Sequence, residues 1–208
     1  MARKPQTIPR KQASQDRSRL TVDILLEATA RILVKDGYDI ASTNRIAQAA
    51  GISIGSLYQY FPGKEALVAA VTDRHIQQMM DVVRAALVAV MHEPVEVAVR
   101  ALVTVMIDAH RVSPRLHRVL FEQTPRTGRL ENVDALDREA YAMVRDYLNA
   151  HRDELTVTDL DMAAFICVKT VETLTHTAVV NRPELIAGDG QGVFIDEVTR
   201  MVVKLLRG

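Results

Sequence analysis

Apolar side chains recur every three to four residues along most of this 208-residue chain, and this spacing is typical of helices. The pattern predicts nine helices, at about residues 16–35, 43–50, 53–60, 64–91, 94–112, 114–123, 131–151, 158–180 and 193–206. No segment alternates apolar and polar residues between turn-forming residues, so we expect no strand. The predicted fold class is therefore all-α.

Residues that disfavour helix continuation separate the predicted helices. Gly37 is expected to end the first helix, and Pro62-Gly63 to separate the third from the fourth. Residues 124–129 contain a proline and a glycine and are predicted to form a loop. Thr158 and Asp161 have the spacing of a capping pair, which predicts that the eighth helix begins there.

The second and third predicted helices are short and are joined by a tight turn. Ser42 or Thr43 can cap the first of them and Ser53 the second, because a hydroxyl group satisfies free N–H groups at a helix start. Gly51 lies where the chain must turn sharply, and glycine reaches a positive φ at little cost. The small Ala47 allows the two helices to approach closely. This is the pattern of a helix-turn-helix, whose second helix enters the major groove of DNA.

The first helix of this motif offers three candidate DNA contacts. Thr43 lies at the helix N-terminus, where its hydroxyl suits a phosphate as well as a cap. Asn44 and Arg45 point outward if Ile46 and Ala47 point inward, so either can reach a base edge or a phosphate. Arg45 matches guanine, although a solvated helix face is the alternative for this residue.

The second helix of the motif offers four candidate base contacts, since Ile54, Gly55, Ser56 and Gln59 occupy its outward and N-terminal positions. An exposed Ile54 can contact thymine methyl groups, and Gln59 can pair with adenine. Gly55 allows the backbone to approach the DNA closely. These four residues are predicted to specify the sequence that is bound.

A longer series of residues at fixed spacing continues past the motif to Leu67. The matching positions are Thr43, Ile46-Ala47, Ala50-Gly51-Ile52-Ser53, Gly55, Leu57-Tyr58, Tyr60-Phe61, Lys64-Glu65 and Leu67. They resemble the DNA-binding segment of TetR-type transcriptional regulators. The resemblance implies phosphate contacts by Ser53, Tyr58, Tyr60 and Lys64, with Tyr58 the stronger candidate of the two tyrosines because Tyr60 packs partly inward. Elsewhere the chain resembles the family only in length and helical layout.

The net charge of zero hides an uneven distribution. Residues 1–68 carry ten Lys and Arg against six Asp and Glu, so the remainder is acidic, which indicates a polyanion bound at one end. The predicted domains are a flexible basic arm at 1–15, a DNA-binding domain at 16–63 and a helical effector-binding and dimerisation domain at 64–208. The arm either adds salt-dependent DNA affinity or is a disordered tail. The basic residues of the arm are Arg3, Lys4, Arg10 and Lys11, and Arg17 and Arg19 follow just beyond it.

The last two predicted helices suit a partner chain. The eighth helix is apolar over most of its surface, which indicates burial on more than one side. In TetR-type regulators the last two long helices form a four-helix dimer interface, so the resemblance implies a homodimer through residues 158–180 and 193–206. A two-fold dimer would place two recognition helices about 34–36 Å apart, matching a palindromic double-stranded DNA operator. The alternative is a well-buried core helix in a monomer.

The resemblance also implies an effector pocket among the fourth to eighth helices. Adaptable methionines, aromatic rings and histidines there are candidate ligand contacts, and for each of them ordinary core packing is the alternative. With four Phe, five Tyr and no Trp in the chain, an aliphatic pocket for a small apolar effector is favoured over an aromatic one. The candidates are Met80, Met106, His110, Phe121, Tyr141, Met143, Phe165 and His176.

No cofactor and no metal site is predicted. His110 and His117 are separated by a break at Pro114 and have no cysteine beside them. Glu172 and His176 are four residues apart on one helix, which predicts a structural hydrogen bond. The single cysteine, Cys167, lies in an apolar helix where a thiol is usually inert, with a redox sensor as the minor alternative.

The pattern as a whole predicts a cytoplasmic regulator rather than an enzyme. No Gly-rich phosphate loop and no His-Glu-x-x-His motif are present in the sequence. One cysteine fits a reducing cytosol. The basic N-terminus lacks the apolar core of a signal peptide, and no uninterrupted apolar run approaches about 18 residues, so no transmembrane helix is expected. The predicted function is a transcriptional repressor that a small molecule releases from its operator. The alternative is an architectural DNA-binding protein without an effector.

Overall fold

The computed structural model describes residues 10–123 and 130–208, and within these ranges the chain forms helices and no strand. The predicted all-α fold class is therefore confirmed. The α-helices, in chain order, are α1 (Arg10–Ile40), α2 (Thr43–Ala50), α3 (Ile54–Tyr60), α4 (Lys64–Ala89), α5 (Val95–Arg111), α6 (Pro114–Arg118), α7 (Leu130–Ala150), α8 (Leu160–His176) and α9 (Gly190–Arg207).

The chain divides into two compact units, one up to Val71 and one from Thr72 onward. The division falls within α4, so both units contain part of this helix. In the first unit α1 packs against α2, and α2 packs against α3. The apolar core of this unit includes the fully buried side chains of Leu25, Ile46 and Leu57.

Helix α1 differs from its prediction at both ends. It begins at Arg10 rather than near Asp16, because residues 10–15 are mostly Arg, Lys, Gln and Ala, which favour a helix. The rest of the predicted flexible arm, residues 1–9, lies outside the described residues. Gly37 has φ 79° and ψ 173° and interrupts the helix as predicted, although helical turns resume as far as Ile40.

In the second unit α5 packs against α8 and α9, and α7 packs against α8. Buried aliphatic side chains such as Val103, Ile107 and Val198 form the core between these helices. The end of α9 is held by the segment before α8, where the backbone N–H of Thr156 donates to the carbonyl of Leu206 at 2.9 Å. The second unit is thus a helical bundle in which α8 is the central element.

The ends of α6 and α8 are unlike the predicted ones. Each is followed directly by a π-helical turn, at Val119–Gln123 and at Thr177–Asn181. The cap of α8 is Asp159 rather than the predicted pair of Thr158 and Asp161, since the Asp159 side chain accepts from the Met162 N–H at 2.9 Å. The predicted loop at 124–129 lies outside the described residues.

Residues Leu160–Asn181 form a segment long and apolar enough, by length and composition alone, to cross a membrane. This membrane-like composition was not predicted from the sequence, because the apolar run in this segment is interrupted by polar residues. Ala163, Ala164 and Val171 on this segment are buried within the second unit. A core helix of this kind meets the same length and composition criteria as a membrane span, so the criteria do not identify a span here.

Candidate DNA-binding surface and effector cavity

The turn between α2 and α3 has the geometry that the sequence predicts. Ser42 caps α2 by accepting from the Arg45 N–H at 3.4 Å, and Ser53 caps α3 by accepting from the Ser56 N–H at 3.1 Å. Gly51 lies between them in the left-handed region, with φ 67° and ψ 26°. These local contacts fix the angle at which α3 leaves the turn.

Side chains of α2 and α3 form a buried set and an exposed set, and a few, such as Thr43 and Tyr60, are half-buried. Ile46, Ala47 and Leu57 are buried in the first unit, where the small Ala47 permits close helix packing. The opposite surface carries most of the residues that were predicted from the sequence to contact DNA bases or phosphates. The exposed members of that set are Asn44, Arg45, Ser53, Ile54, Gly55, Tyr58 and Gln59, with Ser56 half-buried beside them.

Two of the candidate DNA contacts already join α2 to α3. The hydroxyls of Thr43 and Tyr58 are 3.2 Å apart, which places both at the N-terminal end of α2.

Arg45 forms an ion pair with Asp36 at 3.2 Å, with about half of the Arg45 side chain exposed. Exposed pairs of this kind contribute little stability, so the guanidinium can exchange this carboxylate for a nucleic-acid partner at small cost.

Lys64 and Tyr60 have partners inside the first unit. The Lys64 ammonium donates to the Tyr38 carbonyl at 3.1 Å and lies 4.0 Å from the centre of the Tyr38 ring. The Tyr60 hydroxyl accepts from Ser18 Oγ at 3.3 Å. Phosphate contact by these two residues stays a prediction, and for Lys64 it requires the ammonium to leave its present partners.

Arg31 is a basic residue near this surface that the sequence analysis missed. Its exposed guanidinium lies within reach of the end of α2, donating to the Ala49 carbonyl at 3.4 Å. Its position on the polar face of α1 was visible in the sequence, but its distance to α2 depends on how the two helices pack.

The Gly51→Ala substitution is expected to destabilise the first unit by about 1–2 kcal/mol, because alanine is strained at positive φ. No neighbouring atom lies within 4 Å of the added Cβ, so the expected effect comes from the backbone alone. Gly55→Ala is the matched control: it also meets no neighbour, but lies within α3, where alanine favours the helix. Amide hydrogen exchange of α2 and α3 should show faster exchange for Gly51→Ala and equal or slower exchange for Gly55→Ala; equal effects would contradict the assignment.

The second unit contains a partly open cavity of about 180 Å³ with a predominantly aliphatic wall. Four of the eight predicted ligand contacts lie on this wall, namely Met80, Met106, His110 and Phe121. Further wall residues, which the sequence analysis did not select, are spaced along one face of α4. They are Ile76, Met79, Val83 and Leu87. The helical spacing of these four residues predicts that they face the core, but it does not predict where a cavity lies within the core.

The other four predicted ligand contacts are placed elsewhere in the second unit. Phe165 is 49% exposed and its ring packs against Tyr141, with 5.7 Å between ring centres. Met143 is half-buried and off the cavity wall. His176 is also off the wall, but its ring contacts that of the wall residue His117. Helix α8 therefore turns Phe165 outward, an orientation that its nearly continuous apolar pattern did not reveal.

Both units match known families. Residues 25–71 match the family model described as "Bacterial regulatory proteins, tetR family", and residues 94–206 match "Tetracyclin repressor-like, C-terminal domain". The chain belongs to the TetR family of transcriptional regulators. The resemblance seen between Thr43 and Leu67 is thereby confirmed. TetR-family regulators bind DNA through the helix-turn-helix and act as dimers.

Among curated relatives, the HTH-type transcriptional activator FasR of Mycolicibacterium smegmatis (strain ATCC 700084 / mc(2)155) is 41% identical over 63 residues, which cover 30% of this chain and 29% of FasR. This TetR-family chain thus aligns with less than a third of that relative's length. The solved structure of the fatty acid degradation regulator FadR from Bacillus halodurans has a TM-score of 0.66 at 18% identity, covering 88% of this chain and 94% of FadR. SmeT, the repressor of a Stenotrophomonas maltophilia multidrug efflux pump, has a TM-score of 0.63 at 21% identity, covering 90% of both chains. These two likenesses show the fold.

An ion-pair group lies beside the cavity of this TetR-family chain. The Lys169 ammonium donates to Asp137 at 2.9 Å and to Glu172 at 2.8 Å, and both acids contribute to the cavity wall. Partial desolvation lowers the pKa of Lys169, but its hydrogen bonds to the two carboxylates outweigh this and raise the pKa overall. The predicted hydrogen bond between Glu172 and His176 is wrong, because Glu172 pairs with Lys169 instead.

Four histidines meet at one end of the cavity. His75 Nε2 lies 2.9 Å from His117 Nδ1, and His117 Nε2 lies 2.9 Å from His176 Nδ1. His110 Nδ1 lies 2.6 Å from the Met106 carbonyl, and because a carbonyl can only accept, the proton of this ring is on Nδ1. Burial lowers the pKa of both His75 and His110, which favours their neutral forms. The contact between these four histidines was not predicted from the sequence, in which they lie far apart.

Cys167 also lies on the cavity wall. Burial raises the pKa of its thiol to about 11, so at neutral pH the group is protonated and a poor nucleophile. This favours the interpretation of Cys167 as an inert apolar residue.

Proposed function

We propose that this chain is a cytoplasmic, homodimeric repressor that leaves a palindromic operator when a small apolar effector fills the cavity of the second unit. The aliphatic cavity is the observation that carries the proposal, since a protein that only bound DNA would have no use for a void in its core. An effector that favours one state of the second unit by about 1–3 kcal/mol would change DNA affinity 5- to 150-fold.

Exposed apolar side chains on α8 and α9 support the proposed dimer. Met162 and Phe165 are about half exposed on α8, as are Met201 and Leu205 at i,i+4 spacing on α9. Exposed large apolar groups on two helices that contact each other are compatible with a surface that a second copy covers. A four-helix interface of this kind would fix the separation of the two recognition helices.

Specific recognition is assigned to the exposed face of α3. Ile54, with 38% of its surface exposed, offers an apolar contact to thymine methyl groups, and Gln59 offers a bidentate contact to adenine. Thr43, Ser53 and Tyr58 surround them with hydroxyl groups that suit phosphates. The base contacts then specify the operator, and the hydroxyls position the protein on it.

The repressor proposal is tested by fluorescence anisotropy of the purified chain with DNA from upstream of its own gene and with scrambled DNA, at two salt concentrations. Operator binding tighter than scrambled binding by about 10³-fold or more would support it. A steep salt dependence without sequence preference would instead support the architectural alternative and overturn the repressor proposal.

Filling the cavity is expected to abolish the effector response without affecting DNA binding. Ala140 lies on the cavity wall and Ala142 is exposed on the same helix, so Ala140→Phe and Ala142→Phe are a matched pair. With a panel of aliphatic alcohols as probes, the original chain and Ala142→Phe should release operator DNA, whereas Ala140→Phe should retain it. Equal responses of the two variants would place the effector outside the cavity.

A further inference from the structure

We propose that His110, His117 and His176 form a binding site for a divalent transition-metal ion, with Zn²⁺ the best match. One ring nitrogen from each of the three histidines lies within 4.8 Å of the others. Three imidazoles with an open fourth position are a typical donor set for zinc. The inference is independent of the repressor proposal, because it depends only on side chains of the second unit.

Three different elements bring the donors together. His110 lies in the last turn of α5, His117 in α6 and His176 at the end of α8. His117 and His176 are each followed closely by one of the two π-helical turns. Such turns are uncommon and frequently occur at functional sites, because the extra residue in the turn redirects nearby side chains.

The second ring nitrogen has a hydrogen-bonding partner in His110 and in His117, and a nearby carboxylate in His176. His110 Nδ1 donates to the Met106 carbonyl at 2.6 Å, which leaves Nε2 to bind a metal. His117 Nδ1 lies 2.9 Å from His75 Nε2, and His176 Nε2 lies 3.8 Å from the Glu122 carboxylate. Outer partners of this kind fix the ring tautomers and strengthen metal ligation.

The three donor nitrogens lie within 4.8 Å of one another and must move closer together on metal binding. Tetrahedral zinc with bonds of about 2.0–2.1 Å places its nitrogen ligands about 3.3 Å apart. His117 Nε2 and His176 Nδ1 are 2.9 Å apart and share a proton. On metal binding this proton moves from Nδ1 to Nε2 of His176, on the side of Glu122, so both rings stay neutral and both facing nitrogens become ligands.

The open fourth position of the metal would face the cavity, since His110 and His117 both contribute to its wall. A water molecule or an anionic atom of a ligand could complete the coordination there. The site therefore gives a mostly aliphatic cavity one strongly polar end.

The test is a titration of the untagged, chelator-treated chain with Co²⁺ and then Zn²⁺, followed by absorption spectroscopy and calorimetry. The expected result is one metal ion per chain, with the intense visible bands of tetrahedral Co²⁺ that Zn²⁺ then removes. His176→Gln is expected to weaken Zn²⁺ binding by at least about 100-fold, and Glu122→Gln by about 10- to 100-fold. His176→Gln suits this test because His176 is only partly buried, and circular dichroism would verify its fold.

His92 is exposed, and His92→Gln is the matched control, which should bind Zn²⁺ as tightly as the unsubstituted chain does. Octahedral Co²⁺ spectra, or unchanged Zn²⁺ affinity in a folded His176→Gln variant, would overturn the proposal. The titration contains no DNA, so its failure would leave the repressor proposal unaffected, and failure of operator binding would leave the metal site unaffected.

Discussion

A chain carrying both Phe165→Asp and Met201→Asp is expected to be monomeric and to bind its operator about 10³-fold more weakly or worse. The reason is that a dimer would bury both apolar side chains, and an unpaired carboxylate is costly to bury there. A monomer holds one recognition helix rather than two, so its affinity falls toward the non-specific level. Sedimentation equilibrium and fluorescence anisotropy measure the two effects.

Val88→Asp is the matched control for this double variant. Val88 is 71% exposed on α4, so its replacement adds one carboxylate to an exposed apolar position that lies on neither α8 nor α9. It should remain dimeric and bind the operator normally. If the double variant stays dimeric at the concentrations used for DNA binding, the interface lies elsewhere on the second unit.

The Ile54→Ala/Gln59→Ala double variant is expected to lose about 10³-fold or more of its operator affinity, since each lost base contact costs about 1–3 kcal/mol and a dimer uses each of the two contacts twice. Affinity for scrambled DNA and the slope of affinity with salt should stay unchanged, because neither residue carries charge. Binding of the two DNA sequences over a series of salt concentrations separates these effects.

Gln78→Ala is the control for this variant, since Gln78 is an exposed glutamine of the second unit. It should not change either affinity. A parallel loss of specific and scrambled binding in the Ile54/Gln59 variant would mean that α3 is misfolded or that it contacts the backbone of the DNA rather than its bases.

The helix-turn-helix could be predicted closely because its structure depends on contacts between near neighbours. Ser42 and Ser53 cap helices that begin one residue later, and Gly51 adopts the positive φ that only glycine reaches easily. Interactions over three or four residues are visible as spacing in the sequence. The bounds of α2 were therefore predicted to the residue.

Predictions for the second unit were less accurate where they concerned faces of helices. The pattern of α8 is apolar nearly all round, so periodicity could not tell that Phe165 points outward while Cys167 lies on the cavity wall. The same helix resembles a membrane span by composition, although Ala163, Ala164 and Val171 are core residues. Packing against α5 and α7 decides these orientations.

The sequence by itself determined the helical class, the DNA-binding motif and the family, because each follows from residues close together in the chain. The tertiary structure alone decided where the cavity lies and that four histidines cluster beside it, with His110 and His117 on its wall. His75 and His117 are 42 residues apart, and His117 and His176 are 59 apart, so no local spacing connects them. Their contact exists because α4, α5, α6 and α8 pack around one core, and helix packing depends on the shapes of all the side chains between the helices.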